Sequence, residues 1–194
     1  MANDSAYLTR LQDYYAQHRL LPSYAVIAQL LGLKSKSSVA ALVARLKLAG
    51  YLDTGAGRRL KPASRFFERR LADGTVRAGF PSPATDGPGE ALTIDDYLVE
   101  RPSQTVLVRV KGDSMIDAGI HAGDIVVVEK KPAANPGEIV VAIVDDEFTL
   151  KYLEHGKNGF SLRPANPAYP VIRPRGTLEI FGVVTGLFRK YGKY

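Results

Sequence analysis

The 194-residue chain contains no cysteine. Disulfides, a thiol nucleophile and any cysteine-based zinc site are therefore excluded, and the composition suits a reducing compartment. Histidine is scarce: His18, His121 and His155 are the only three. No two of them have metal-ligand spacing, so no metal is expected. His18 lies far in sequence from any candidate nucleophile, and His121 and His155 lack an evident orienting carboxylate. No apolar run approaches the length of a membrane span. The start, Met1-Ala2-Asn3-Asp4, has neither the basic nor the apolar region of a signal peptide. A phosphate-cradling glycine loop and a dinucleotide fingerprint are also missing. The expectation is a soluble cytoplasmic protein with no cofactor and no membrane partner.

What is present begins with an uneven charge. Residues 1–75 hold 12 Lys/Arg against 5 Asp/Glu, a net of +7, while residues 76–194 hold 14 against 15, a net of −1. The positive excess of the chain thus lies wholly in its first part. A basic surface of this kind displaces counterions from nucleic-acid phosphates. Taken by itself, the charge favours the plainer reading of a solvated basic surface.

The first part reads as helical. Tyr7, Leu8, Leu11, Tyr14 and Tyr15 recur at helical spacing, with Asp4 or Ser5 as N-cap. Ser23 caps a short second helix carrying Val26, Ile27, Leu30 and Leu31, which Gly32 ends. Ser35 or Ser37 caps a third, with Val39, Leu42, Leu46 and Ala49 facing inward and Gly50 stopping it. Two short helices joined at a glycine suggest a helix-turn-helix. Tyr51-Leu52-Asp53, a tight turn at Thr54-Gly55-Ala56-Gly57, and Arg58-Arg59-Leu60-Lys61 then read as a basic hairpin, a wing, ended by Pro62. Wing and charge asymmetry together point to DNA. Residues 62–75 read as a linker with Phe66-Phe67 available to dock, and 76–104 is rich in Gly and Pro, with little regular structure expected.

From residue 105 the pattern turns to strand. Thr105–Val110, Ile125–Glu129, Glu138–Asp145, Glu147–Leu153 and Leu178–Leu187 are short β-branched runs separated by turn residues, the pattern of a small, mostly antiparallel β domain. The expected fold class is α+β.

Two places in that domain carry chemistry. Val110-Lys111-Gly112-Asp113-Ser114-Met115 runs from a strand into Gly-Asp and delivers a serine at the turn, where backbone N–H groups can face an oxyanion. Gly-Asp-Ser is also ordinary turn chemistry. The second place is Lys151, in Glu147-Phe148-Thr149-Leu150-Lys151-Tyr152-Leu153. Asp145-Asp146 turns the chain into this run, and strand alternation puts Lys151 on one face with Thr149 and Leu153. If that face is buried, desolvation lowers the ammonium pKa, and a neutral lysine can take a proton from a serine. An exposed lysine on an edge strand would do nothing of the kind.

These residues resemble the LexA family of self-cleaving repressors and its relatives, the UmuD-type proteins and phage repressors. The resemblance covers nearly the whole chain. It is strongest over Val106-Leu-Val-Arg-Val-Lys-Gly-Asp-Ser-Met115 with Gly119-Ile120 and Ala122-Gly123-Asp124, and again from Gly137 to Leu153. It implies a winged helix-turn-helix over 1–62, a linker with the cleavage site over 63–90, and a LexA-like, β-rich peptidase and dimerisation domain over 91–194. It makes Ser114 the nucleophile and Lys151 the general base, with the Ser114 and Met115 N–H groups as oxyanion donors. The scissile bond becomes Ala78–Gly79, in Val76-Arg77-Ala78-Gly79-Phe80-Pro81. The implied partners are double-stranded operator DNA, a RecA filament on single-stranded DNA that stimulates cleavage, and a second copy meeting the late strand Leu178–Val184. DNA contacts fall on Ser35, Lys36, Ser37, Ser38, Ala41 and Arg45 of the third helix, and on Arg58 and Arg59 of the wing. Ala40 and Ala41 stand where the best-known family pattern is acidic, and Arg77 is larger than usual beside the cleaved bond. Two other classes fit less of the sequence. A repressor that does not cut, released by a ligand or antirepressor, has only Arg77 in its favour. A UmuD-type polymerase accessory has no use for the basic first 62 residues. Signal peptidases share the serine–lysine chemistry but carry a membrane anchor.

Overall fold

The computed structural model describes residues 2–71, 90–157, 159–174 and 177–192. The chain divides into two compact units, Met1–Ile94 and Asp95–Tyr194. Among the described residues, no single helix is long and apolar enough to cross a membrane.

The first unit is built on three helices: α1 (Ala2–His18), α2 (Tyr24–Leu31) and α3 (Lys36–Leu48). Helix α1 starts earlier than the sequence suggests, so Asp4 and Ser5 lie within its first turns rather than capping it. Asp4 is drawn instead to Arg45, a partner 41 residues away. Ser23 and Ser35 are the N-caps of α2 and α3, accepting from the Val26 and Ser38 N–H groups. Each such cap is worth about 1 kcal/mol. Gly32 closes α2 in the left-handed region, at φ 68° and ψ 27°, a conformation that favours a residue without Cβ. The axes of α2 and α3 turn by 96° about that joint. Leu11, Ile27, Leu31, Val39, Leu42, Val43 and Leu46 form one core. Tyr14 is the exception to the expected face of α1: its ring meets His18.

Strands β1 (Leu52–Thr54) and β2 (Leu60–Pro62) pair antiparallel, Asp53 opposite Lys61. Their connection is longer than a tight turn, with a 3₁₀ segment over Ala56–Arg58 and Gly57 at φ 68°. Within the stretch read as linker, Phe66 is buried in the helical core, and Gln12 Nε2 donates to its carbonyl at 2.7 Å. Arg65 donates to the Ala49 carbonyl at 2.8 Å. Strand β3 (Arg69–Arg70) then pairs with β4 (Ala91–Leu92), and the Leu71 N–H donates to the Glu90 carbonyl at 2.7 Å. A short helix α4 (Ile94–Leu98) follows, where little regular structure was expected.

The second unit is a six-stranded antiparallel sheet in the order β5-β6-β10-β7-β8-β9. Its strands are β5 (Thr105–Arg109), β6 (Ile125–Glu129), β7 (Ile139–Val144), β8 (Glu147–Gly156), β9 (Gly159–Arg163) and β10 (Leu178–Phe188). Five match the sequence-based runs closely, and β9 is additional. Asp145 and Asp146, at φ 49° and 66°, make the two-residue turn between β7 and β8. Strand β10 changes partners along its length. Leu178–Val183 pairs with β7 and Val183–Phe188 with β6, with register shifts on both sides. Gly182 sits at the change-over, where a Cβ would come within 2.5 Å of the Glu129 carbonyl oxygen. Only glycine lets β6 approach this closely. Val126, Val128 and Val141 pack with Met115 and Ile120 in one core cluster, and Val140, Ala142, Leu153, Leu162 and Val183 form a second.

Candidate active site

Gly112, at φ 78°, turns the chain after β5 and brings Ser114 to the head of a loop. The loop is closed at its base, where the Val110 N–H donates to the Asp124 carbonyl and the Gly123 N–H to that of Val110. Met115 and Ile120, each 2 % exposed, anchor its inner side in the core. Ser114 is left half-buried.

Lys151 reaches Ser114 from β8. Its Nζ lies 2.8 Å from Ser114 Oγ, 3.0 Å from Thr149 Oγ1 and 2.9 Å from the Leu150 carbonyl oxygen. The side chain is 7 % exposed, and desolvation lowers its pKa from the ordinary lysine value. Among the described residues, no carboxylate is a hydrogen-bond partner of Lys151. The three partners fix what each protonation state can do. An ammonium donates to all three. A neutral amine has two protons and one lone pair, and the Leu150 carbonyl can only accept. Donation to Leu150 and Thr149 leaves the lone pair for the Ser114 hydroxyl proton. Thr149 was placed on the lysine's face from alternation, but its hydroxyl as a lysine partner was not foreseen.

Neither the Ser114 nor the Met115 N–H donates a hydrogen bond among the described residues, while the carbonyls beside them are held. The Ala165 N–H donates to the Ser114 carbonyl at 2.9 Å, and Asn166 Nδ2 donates to the Asp113 carbonyl at 3.1 Å. Tyr169 Oη donates to the Asp113 carboxylate, which raises the Tyr169 pKa. The loop carrying these three residues follows β9 and lines an open cavity of about 460 Å³ with Asp117 and Tyr152. Sequence reasoning missed this loop, because its contacts span 51 to 56 residues.

A second brace lies at the other end of the serine loop. Asp124 is 1 % exposed and receives Arg189 Nε at 2.5 Å, Arg189 Nη2 at 2.6 Å and the His121 N–H at 2.8 Å. The guanidinium holds the Asp124 carboxyl down to a pKa of about 2. Arg189 Nη2 also donates to the Gly119 carbonyl at 2.8 Å. Neither His121 nor His155 hydrogen-bonds Ser114: His121 meets Asp124 through its backbone, and the His155 ring meets Phe160.

The other sequence-predicted residues fare differently. Ala78 and Gly79 lie outside the described residues. Ser35, Ser37 and Ser38 are exposed but bonded to one another, Ser35 Oγ standing 2.9 Å and 2.8 Å from the other two hydroxyls. Arg45 forms a bidentate pair with Asp4 at 2.7 and 2.8 Å. Lys36, Ala41, Arg58 and Arg59 are exposed, and the three cations among them make no ion pair among the described residues.

Residues 70–185 match the family described as Peptidase S24-like, which defines the class of the second unit. Full-length relatives extend the likeness to both units. The LexA repressor of Alcanivorax borkumensis is 37% identical over 186 residues, covering 92% of this chain and 90% of that protein. LexA repressor 2 of Pseudomonas putida is 35% identical over 188 residues, 93% of each chain. Protein SamA of Salmonella typhimurium is 48% identical over 113 residues, 58% of this chain and 79% of its own length. The chain belongs to the LexA family of repressors.

Proposed function

We propose that this protein represses damage-response (SOS) genes by binding operator DNA as a dimer, and that it inactivates itself by cutting its own chain at Ala78–Gly79. The observation that carries the reading is the 2.8 Å approach of the buried Lys151 Nζ to Ser114 Oγ. In the reaction, neutral Lys151 takes the Ser114 hydroxyl proton. Ser114 Oγ attacks the Ala78 carbonyl carbon. The oxyanion is held by the Ser114 and Met115 N–H groups. Lys151 then returns the proton to the departing Gly79 amine, and water hydrolyses the acyl-serine in the reverse sense. Small side chains at Ala78 and Gly79 let the segment enter beside the serine turn. The ends of that segment are pinned together by the β3–β4 pairing. Such closure lowers the entropy cost of presenting it as a loop.

In the first unit we assign the α2–α3 pair and the β1–β2 hairpin to a winged helix-turn-helix, supported by the 96° turn between the two helices and the basic composition. Exposed Lys36, Arg58 and Arg59, which make no ion pair among the described residues, are suited to phosphates. Arg45 must exchange Asp4 for DNA to contribute. Cutting between the units removes the gain from dimerisation, since each half-site is then gripped alone. Leu178–Phe181 has β7 on one edge and no paired strand on the other among the described residues, which supports the late strand as the dimer contact. A RecA filament on single-stranded DNA is the proposed stimulus. The test is a titration of promoter DNA with the intact chain over a range of salt. Affinity is expected to fall steeply with salt, Arg58→Ala with Arg59→Ala is expected to flatten the slope, and activated RecA is expected to release the DNA as fragments form. Salt-insensitive binding would contradict the assignment.

A further inference from the structure

In a trans peptide the carbonyl of one residue and the N–H of the next point in opposite directions. Holding one therefore aims the other. The loop after β9 reaches two adjacent carbonyls of the serine turn: Asp113, where Asn166 Nδ2 at 3.1 Å joins the turn's own Ile116 N–H at 3.1 Å, and Ser114, through the Ala165 N–H at 2.9 Å. The N–H groups across those two peptide planes belong to Ser114 and Met115. Neither of them donates a hydrogen bond among the described residues, a state they share with the Lys111, Gly112 and Asp113 N–H groups, but only theirs lie across a carbonyl that this loop holds.

We propose that Asn166 and Tyr169 are positioning residues that aim the Ser114 and Met115 N–H groups and so build the oxyanion site, an inference that rests on Ser114 being the nucleophile. The side chains divide the work. Asn166 Nδ2 grips the Asp113 carbonyl, and its Oδ1 accepts from the Ala168 N–H at 2.9 Å, which shapes the loop. The Tyr169 hydroxyl closes onto the Asp113 carboxylate, so the turn is held by side chain and main chain together. The Asp117 N–H donates back to the Ala165 carbonyl at 2.8 Å, locking the loop against the far side of the turn. None of these contacts touches Lys151. Their loss leaves the base in place and misaims the donors, and small misplacements of this kind cost large factors in rate.

The test measures how fast a fluorophosphonate labels Ser114 in the full chain, beside self-cleavage of the same chain at alkaline pH. Labelling joins Ser114 Oγ to phosphorus, expels fluoride and passes the hydroxyl proton to Lys151. The phosphoryl oxygen sits where the oxyanion would, so the rate reads the donors without requiring the Ala78–Gly79 segment. Asn166→Ala and Tyr169→Phe are each expected to slow labelling about tenfold, with the pH midpoint unmoved. Asp113→Asn keeps an oxygen acceptor for Tyr169 and is expected to restore most of what Asp113→Ala loses. Asp113→Ala with Tyr169→Phe is expected to be no slower than either alone. If Asn166→Ala does not fold, Tyr169→Phe, which keeps its ring, decides. Labelling at the wild-type rate, a moved pH midpoint or additive losses would each overturn the proposal. A wild type that labels but does not cut itself would refute self-cleavage while the variants still decide the oxyanion assignment; one that does neither would overturn both.

Discussion

Lys151 Nζ stands 2.8 Å from Ser114 Oγ, and none of its hydrogen-bond partners among the described residues is a carboxylate. A lysine placed among a hydroxyl pair and one carbonyl has its charge hydrogen-bonded but not balanced. Burial then favours the neutral form, which is the form able to act as a base. The site's chemistry thus follows from what surrounds the ammonium as much as from the distance.

The pH dependence has a definite sign. Because the folded-state pKa of Lys151 is lowered, the unfolded chain binds the extra proton over the window between the two values. Stability attributable to Lys151 therefore rises with pH through that window. Denaturant melts of wild type and Lys151→Met across the alkaline range are expected to show wild type gaining on the variant as pH rises. A constant difference would mean that the lysine is not desolvated.

Thr149 tunes the same group. Its hydroxyl lies 3.0 Å from Nζ and helps hold the ammonium. Thr149→Val removes that acceptor while keeping shape, so the lysine pKa falls further and the amine is less firmly aimed. The self-cleavage profile is expected to shift to lower pH with a plateau reduced about tenfold. A profile that keeps its midpoint would remove Thr149 from the site.

The Arg189–Asp124 pair is structural in the first instance. Arg189→Met strands a buried carboxylate, a change that costs about 3 kcal/mol. Asp124 has its pKa depressed to about 2, so its contribution is complete above the ordinary carboxylate range and is lost as pH falls toward 2. Thermal melts are expected to show the gap between wild type and Arg189→Met closing in acid. A gap independent of pH would assign the loss to packing.

Much of this was legible in the sequence, for reasons that differ by element. The caps at Ser23 and Ser35 and the Gly32 joint are local chemistry, readable without tertiary context. Strands β6 and β7 are runs of β-branched residues between turns, and their limits follow. Strand β9 was missed although Asn158-Gly159 is a strong hairpin signal, because the strand is only five residues long. Helix α4 is a single turn among glycines and prolines. The pairing of Ser114 with Lys151 came from the family resemblance, and alternation brought Thr149 onto the lysine's face. The grip of Ala165, Asn166 and Tyr169 on the serine turn could not be read, since it joins distant loops with no periodicity of their own. The same holds for Asp4, which satisfies Arg45 across the helical unit.

The most direct measurement is intact-mass analysis of purified protein held at alkaline pH, with and without activated RecA filaments, for wild type and Ser114→Ala side by side. The expected result is two fragments, one ending at Ala78 and one starting at Gly79, formed faster with the filament and only from wild type. An uncut wild type under both conditions, or equal fragments from Ser114→Ala, would contradict the account.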